Sequence, residues 1–275
     1  MITNRFRNCI IVNSLIYFLL SYYLVAFSAN LFIILLAKLV GFDAVLSYKG
    51  FVLSNGKWTN DNIIIVYFFG NLFSLIVAVF FLWKYYIINQ IRAKIKILYL
   101  WIYIISLSWF FGEIIIGAVF KTGIGAALIA FEVPYFLRLL LAVIGVFALF
   151  FIGYKTRVDI LSSANLYYPK LSSQKTTKFV INQILIPGII GFIIIIILKL
   201  PNLGQYHYVD LLMLLSIGVT IAGVFYRFKK RKGITFKYTG KNITRNECSI
   251  SYIPIIILIC LLLIIRVGLN NGIII

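Results

Sequence analysis

Seven apolar runs, each near or above the roughly 20 residues needed to cross a hydrocarbon core and none with more than one charged residue, constrain this chain more than any other feature. They fall at about 9–37, 63–83, 97–120, 134–154, 179–198, 209–226 and 249–265. A chain of 275 residues that is 63% hydrophobic and 12% charged cannot bury that much apolar surface in one soluble core. The expected fold is all-α: a polytopic membrane bundle of about seven transmembrane helices forming one integral membrane domain over 1–275. The first run follows Arg5 and Arg7, and "ANLFIILLA" carries it past a small-residue "AFS". An uncleaved anchor is therefore expected rather than a removed signal peptide. Its length implies strong tilt or a break near Ser28–Asn30.

The formal net charge of +19 would point to nucleic acid in a soluble protein. Here the basic residues lie between apolar runs. With seven spans, 19 of the 26 Lys and Arg fall on one side, in the N-terminus and the segments 84–96, 155–178 and 227–248. The asymmetry predicts a cytoplasmic N-terminus and an outside C-terminus, in a prokaryotic inner membrane or an organellar equivalent. Lipid is the expected partner and nucleic acid is not. Within "RFKKRK", Arg227, Lys229, Lys230, Arg231 and Lys232 read as topogenic or as contacts to anionic lipid. A protein partner within the membrane is also expected.

Between the first two spans, "FDAVLSYKGFVLSNGKWTNDN" alternates in short runs around Gly50 and "SNG", which predicts a small interfacial hairpin or structured loop. Residues 121–133 are too short to span and read as a re-entrant or interfacial piece. Pro187, Gly188 and Gly191 imply a kinked or closely packed fifth span.

Ionisable groups at membrane depth are costly and need partners. Glu113 stands alone in "WFFGEIIIGAVFK", with Ser106 and Gly117 on its stripe; Arg138 opens the next span with Ala142 and Gly145 on its own. Their distances from the span ends suggest matching depth and a carboxylate–guanidinium pair. Asn71, with Ser74 and Ala78, faces the same region from span two. The expected site is therefore an intramembrane cluster of Asn71, Glu113 and Arg138, with Glu132, His207 and Asp210 near its mouth. Such a pair can tie helices together, or it can line a substrate, ion or proton path.

Catalytic motifs are missing. There is no HExxH, Walker A or G-x-S-x-G, and "TGIGAA" lacks dinucleotide-binding context. A single histidine does not make an ordinary zinc site. Cys9, Cys248 and Cys260 are odd in number without CxxC spacing, suggesting neither a disulfide framework nor a thiolate metal site. No cofactor and no catalytic residue is expected.

The first long span, the interfacial "VLSYKGFVL", the helix "YFFGNLFSLIVAVFFLW" and "WFFGEIIIGAVFKTGIGAALIAF" together resemble, over roughly 1–155, the site-2-protease-like membrane metallopeptidases and their non-peptidase relatives. The first span lacks histidine and the Gly-rich segment lacks Asp, so no metal ligand carries over. The resemblance implies a related fold with the peptidase chemistry lost. The reading that follows is a membrane-embedded binding, scaffold or accessory subunit. A small transporter or permease subunit is the alternative, and a degenerate metallopeptidase-like protein ranks third.

Overall fold

The computed structural model describes residues 4–47, 50–89, 91, 93–199, 207–226, 234–235, 248–269 and 272–274, with 207–210, 234–235 and 274 described in backbone only. Its helices are α1 (Asn4–Leu39), α2 (Asn60–Ile88), α3 (Ile95–Phe120), α4 (Ile124–Ala130), α5 (Tyr135–Leu166), α6 (Ser173–Lys199), α7 (His207–Phe225) and α8 (Tyr252–Gly268). Five of them, α1, α2, α3, α5 and α6, are long and apolar enough to cross a membrane. The all-α membrane reading therefore stands, while α7 and α8 are shorter apolar helices.

The first helix runs unbroken through Ser28–Asn30. After it, β1 (Asp43–Ser47) and β2 (Gly50–Ser54) pair antiparallel, with Val45 opposite Val52, so the alternating pattern does form a hairpin. What alternation could not show is the third strand. A two-residue strand at Ile273–Ile274 pairs with β1 through Val45 and Leu46. The short 121–133 segment contains α4, and Gly125 of α4 lies against the Gly117 carbonyl of α3 so closely that a Cβ there would fall 1.8 Å from the oxygen.

The ends of the bundle differ. The hairpin, α4 and the start of α5 lie at one end, here the hairpin end. The start of α1, the α2–α3 turn and the ends of α5 and α7 lie at the other, the basic end. Cys9 and Cys248 are joined by a disulfide at the basic end, which corrects the expectation of no disulfide. The two are 239 residues apart, a separation that carries no local spacing signal. Asn13, one turn further along α1, donates to the Ser249 carbonyl at 3.0 Å and accepts from the Ser251 amide at 3.0 Å. Lys94 adds two 2.8 Å bonds to Ser249.

Pro187 sits just beyond a π-helical stretch, Ile181–Leu185, in α6. Proline supplies no N–H to the carbonyl four residues earlier. That carbonyl belongs to Gln183 and accepts instead from Ser14 of α1, whose oxygen takes a 2.9 Å bond from the Trp101 indole. The expected irregularity in span five thus becomes a tie to α1 and α3.

Around α3, register can be read from side-chain contacts. Tyr103 meets Thr156 at 3.3 Å, while a Cβ on Gly145 would fall 3.1 Å from Ile115 and 3.6 Å from the Phe111 carbonyl. Positions on α3 rise as those on α5 fall, so the two are antiparallel. Ser108 meets Thr220 at 3.0 Å and Gly112 packs on Ser216 and Met213, so α7 is antiparallel to α3 as well. At the α5–α7 crossing a Cβ on Gly153 would lie 1.9 Å from the Thr220 carbonyl, and one on Gly223 2.1 Å from the Phe150 carbonyl. Small residues permit this backbone approach. Gly153→Ala and Gly223→Ala are each expected to destabilise the protein by about 2 kcal/mol through overpacking, measured as denaturation in mild detergent.

Candidate functional site

The three expected site residues stand on buried stripes, as the helical period requires. Asn71, Ser74 and Ala78 are buried on α2, and Arg138, Ala142 and Gly145 on α5, while Glu113 is half-buried on α3. Their arrangement differs from the expected cluster. Residues two apart on an α-helix project about 200° from each other at 3.6 residues per turn. The face of α3 that meets Gly145 carries Phe111 and Ile115. Glu113 is two residues from each, so it projects on the far side of α3 from α5.

Depth separates the pair as well. Gly145 is level with Phe111–Ile115, and Arg138 lies seven residues nearer the start of α5, about 10 Å further toward the hairpin end at ~1.5 Å per residue. Glu113 turns to α4 instead. A Cβ on Gly123, whose φ is +52°, would fall 2.4 Å from Glu113 Oε2, so glycine serves there both the backbone angle and the carboxylate.

Arg138 has a different environment. Its guanidinium lies over the Tyr135 ring, 5.4 Å from the centroid, and its Nε and Nη1 are buried without a hydrogen-bond partner. A bidentate fork uses two of the three guanidinium nitrogens. With two of them unpartnered, the expected fork to Glu113 does not form.

Asn71 remains on the Glu113 side of α3. Its Nδ2 donates to the Phe110 carbonyl at 3.1 Å, and its Oδ1 is buried without a partner, as are Ser74 Oγ and Ser106 Oγ. At the expected mouth, Glu132 is exposed at a turn with φ +58°. His207 and Asp210 fall in the first turn of α7, and their side chains lie outside the described residues, as does the basic patch Arg227, Lys229, Lys230, Arg231 and Lys232. No group of three or more His, Cys, Asp or Glu suited to a metal occurs among the described residues.

A second polar assembly, at the basic end, was not anticipated from the sequence. Lys96 is fully buried. Its ammonium donates to the carbonyls of Asn89 and Ile91, each at 3.2 Å, and to Asn165 Oδ1. Three donors meet three acceptors. Ser162 bonds Asn89 Oδ1 at 2.9 Å, and Tyr85 OH reaches both Ser162 at 2.7 Å and the Asp159 carbonyl at 2.6 Å. This lock holds the α2–α3 turn against the end of α5. By sequence Lys96 falls among the topogenic cations of 84–96. The usable signal was Asp159, the one acid between Glu132 and Asp210, which marks that end of α5 as polar and enclosed.

Comparison of the chain with known protein families, with curated proteins and with solved structures gives no match.

Two outcomes follow from this geometry. In a double-mutant cycle, Glu113→Gln and Arg138→Gln are expected to add within about 0.5 kcal/mol, because α3 separates them. Lys96→Met, which strands the buried Asn165 amide oxygen and loses two part-buried carbonyl bonds, is expected to cost about 2 kcal/mol in detergent denaturation.

Proposed function

We propose that the chain is a seven-traverse integral membrane protein acting as a membrane-embedded binding or scaffold subunit, with its basic end in the cytoplasm of a prokaryotic cell. One observation carries the reading: the first and last helices are tied to each other at both ends of the bundle. At the basic end Asn13 bridges to Ser249 and Ser251; at the hairpin end β1 pairs with Ile273–Ile274. Alternating access rocks one half of a transporter against the other. Ties between the chain's two ends at both faces oppose such a motion and suit a fixed platform.

The same ties support counting α8 as a traverse. It leaves the Asn13 junction and ends beside β1, so it joins the two levels that α1 joins. Support for α7 comes from its antiparallel run along α3 between Gly112 and Ser108.

Orientation draws on two opposed facts. By sequence, 19 of the 26 Lys and Arg fall in the N-terminus and the segments 84–96, 155–178 and 227–248, which favours the cytoplasm for the basic end, whereas the Cys9–Cys248 bond lies at that end and disulfides persist in oxidising compartments. The charge asymmetry, spread over four segments, outweighs a single bond. In a reducing cytosol the two sulfurs stand as neighbouring thiols while Asn13 keeps the junction. Alkylation of lysed cells under acid quench should then find both thiols reduced; a persistent disulfide reverses the orientation.

A small transporter is the second reading, favoured by the unpartnered Asn71, Ser74 and Ser106 oxygens on the Glu113 side of α3. The resemblance to site-2-protease-like proteins is kept as a proposal of common fold over 1–155.

Thiol accessibility separates platform from transporter without knowledge of any substrate. Cysteines are introduced at Ser74 and Ser106 in a chain lacking the native three. A platform leaves both unlabelled by a membrane-impermeant maleimide from either side. Labelling of either from one side favours the transporter.

A further inference from the structure

We propose that Cys9 and Cys248 form a reversible thiol–disulfide exchange site at the basic end, oxidised by a small-molecule disulfide of the glutathione type, with Cys248 as the entry thiol and Cys9 as the resolving one. The structure joins the two sulfurs although 239 residues separate them in sequence. Other contacts hold the same junction without that bond. Asn13 donates to the Ser249 carbonyl and accepts from the Ser251 amide, and Lys94 binds both the carbonyl and the hydroxyl of Ser249. A reduced pair therefore stays side by side, and its closure is a unimolecular step at high effective concentration.

The surroundings of the sulfurs suit reaction better than inert burial. Asn13 Nδ2 donates toward Cys9 Sγ at 3.7 Å and toward Cys248 Sγ at 3.8 Å. The Lys94 ammonium shares the Ser249 carbonyl with that amide, which sets a cation beside the residue that follows Cys248. The thiolate is the nucleophile, and N–H donors and cations stabilise it. Stabilising the reduced pair also eases reduction of the bond, so the site works in both directions. Cys9 is buried and Cys248 only half-buried, so a reagent from solvent meets Cys248 first.

The exchange balances without a further reagent. The Cys248 thiolate attacks one sulfur of glutathione disulfide and expels a glutathione thiolate, leaving a mixed disulfide on Cys248. Cys9 gives its proton to solvent, attacks the Cys248 sulfur and expels the second glutathione thiolate. Two protein thiols are oxidised, one small disulfide is reduced to two thiols, and excess glutathione reverses both steps. Use of the site in a cell rests on the cytoplasmic placement of the basic end, where the thiols are the resting state. Oxidation there adds a covalent tie between α1 and the start of α8 to the hydrogen-bonded one.

The test uses the full chain carrying Cys260→Ser in a mild maltoside detergent, equilibrated with glutathione and its disulfide, acid-quenched, and counted for free thiols with a polymer-tagged maleimide. Two free thiols are expected at about a thousandfold excess of glutathione, and none when the two forms are about equal. Cys9→Ser should trap glutathione on Cys248, whereas in Cys248→Ser the mixed disulfide on Cys9 should form about tenfold more slowly. Asn13→Ala should slow closure about tenfold. A bond that persists at the thousandfold excess is a structural disulfide and overturns the proposal. So do thiols that stay free in the equal mixture, and so does a Cys9 that reacts as fast as Cys248. Should a variant fail to fold, the titration of the Cys260→Ser chain decides alone. These buffers read the site whichever way it faces, so alkylation in cells tests the orientation separately.

Discussion

Hydrocarbon offers no hydrogen bonds, so a polar group carried into the bilayer must find its partner on the protein or bear the cost. Most ties between helices in this chain answer that demand. Ser14 takes the carbonyl that Pro187 leaves free, Trp101 donates to Ser14, and Ser108 meets Thr220. Lys96 spends its three donors on oxygens of the α2–α3 turn and of Asn165. Apolar packing against lipid tails distinguishes poorly between neighbours, since the tails are as apolar as Leu or Ile. Polar pairs and close glycine contacts therefore do much of the selecting.

The third helix is where these selections meet. It receives α2 through Asn71, α4 through the Gly117–Gly125 contact, α5 through Gly145 and Thr156, α7 through Ser108, and α1 through Trp101. With neighbours on every side, its polar residues serve different partners according to their azimuth. Glu113 and Arg138 were joined by sequence reasoning on depth and small-residue faces. The bundle sends one toward α4 and keeps the other beside Tyr135. What looked like one site is two: a polar stripe between α2 and α3, and a lone guanidinium at the start of α5.

This division changes the functional weight of each residue. A paired Arg would be a helix tie, satisfied and inert. An Arg whose buried Nε and Nη1 lack hydrogen-bond partners is not such a tie. Conversely, the basic-end lock around Lys96 has few unmet needs: its polar atoms find one another, and its consequence is rigidity of the α2–α3 turn.

The sequence by itself determined the elements and their faces. Apolar runs set the long helices, alternation set the hairpin, and the period of 3.6 put Asn71 with Ser74 and Ala78, and Arg138 with Ala142 and Gly145, on the buried sides where they are found. Those properties are local, fixed by spacing along one element. Only the tertiary structure decided which face meets which helix and at what height. A residue shift of two on α3 turns a side chain through about 200°, and a shift of seven on α5 moves it about 10 Å. Neither is written within a single span. The Cys9–Cys248 bond, the strand from the chain's end beside β1 and the separation of Glu113 from Arg138 all depend on how distant segments come together. Packing of whole helices fixes them, and spacing within one helix carries no record of it.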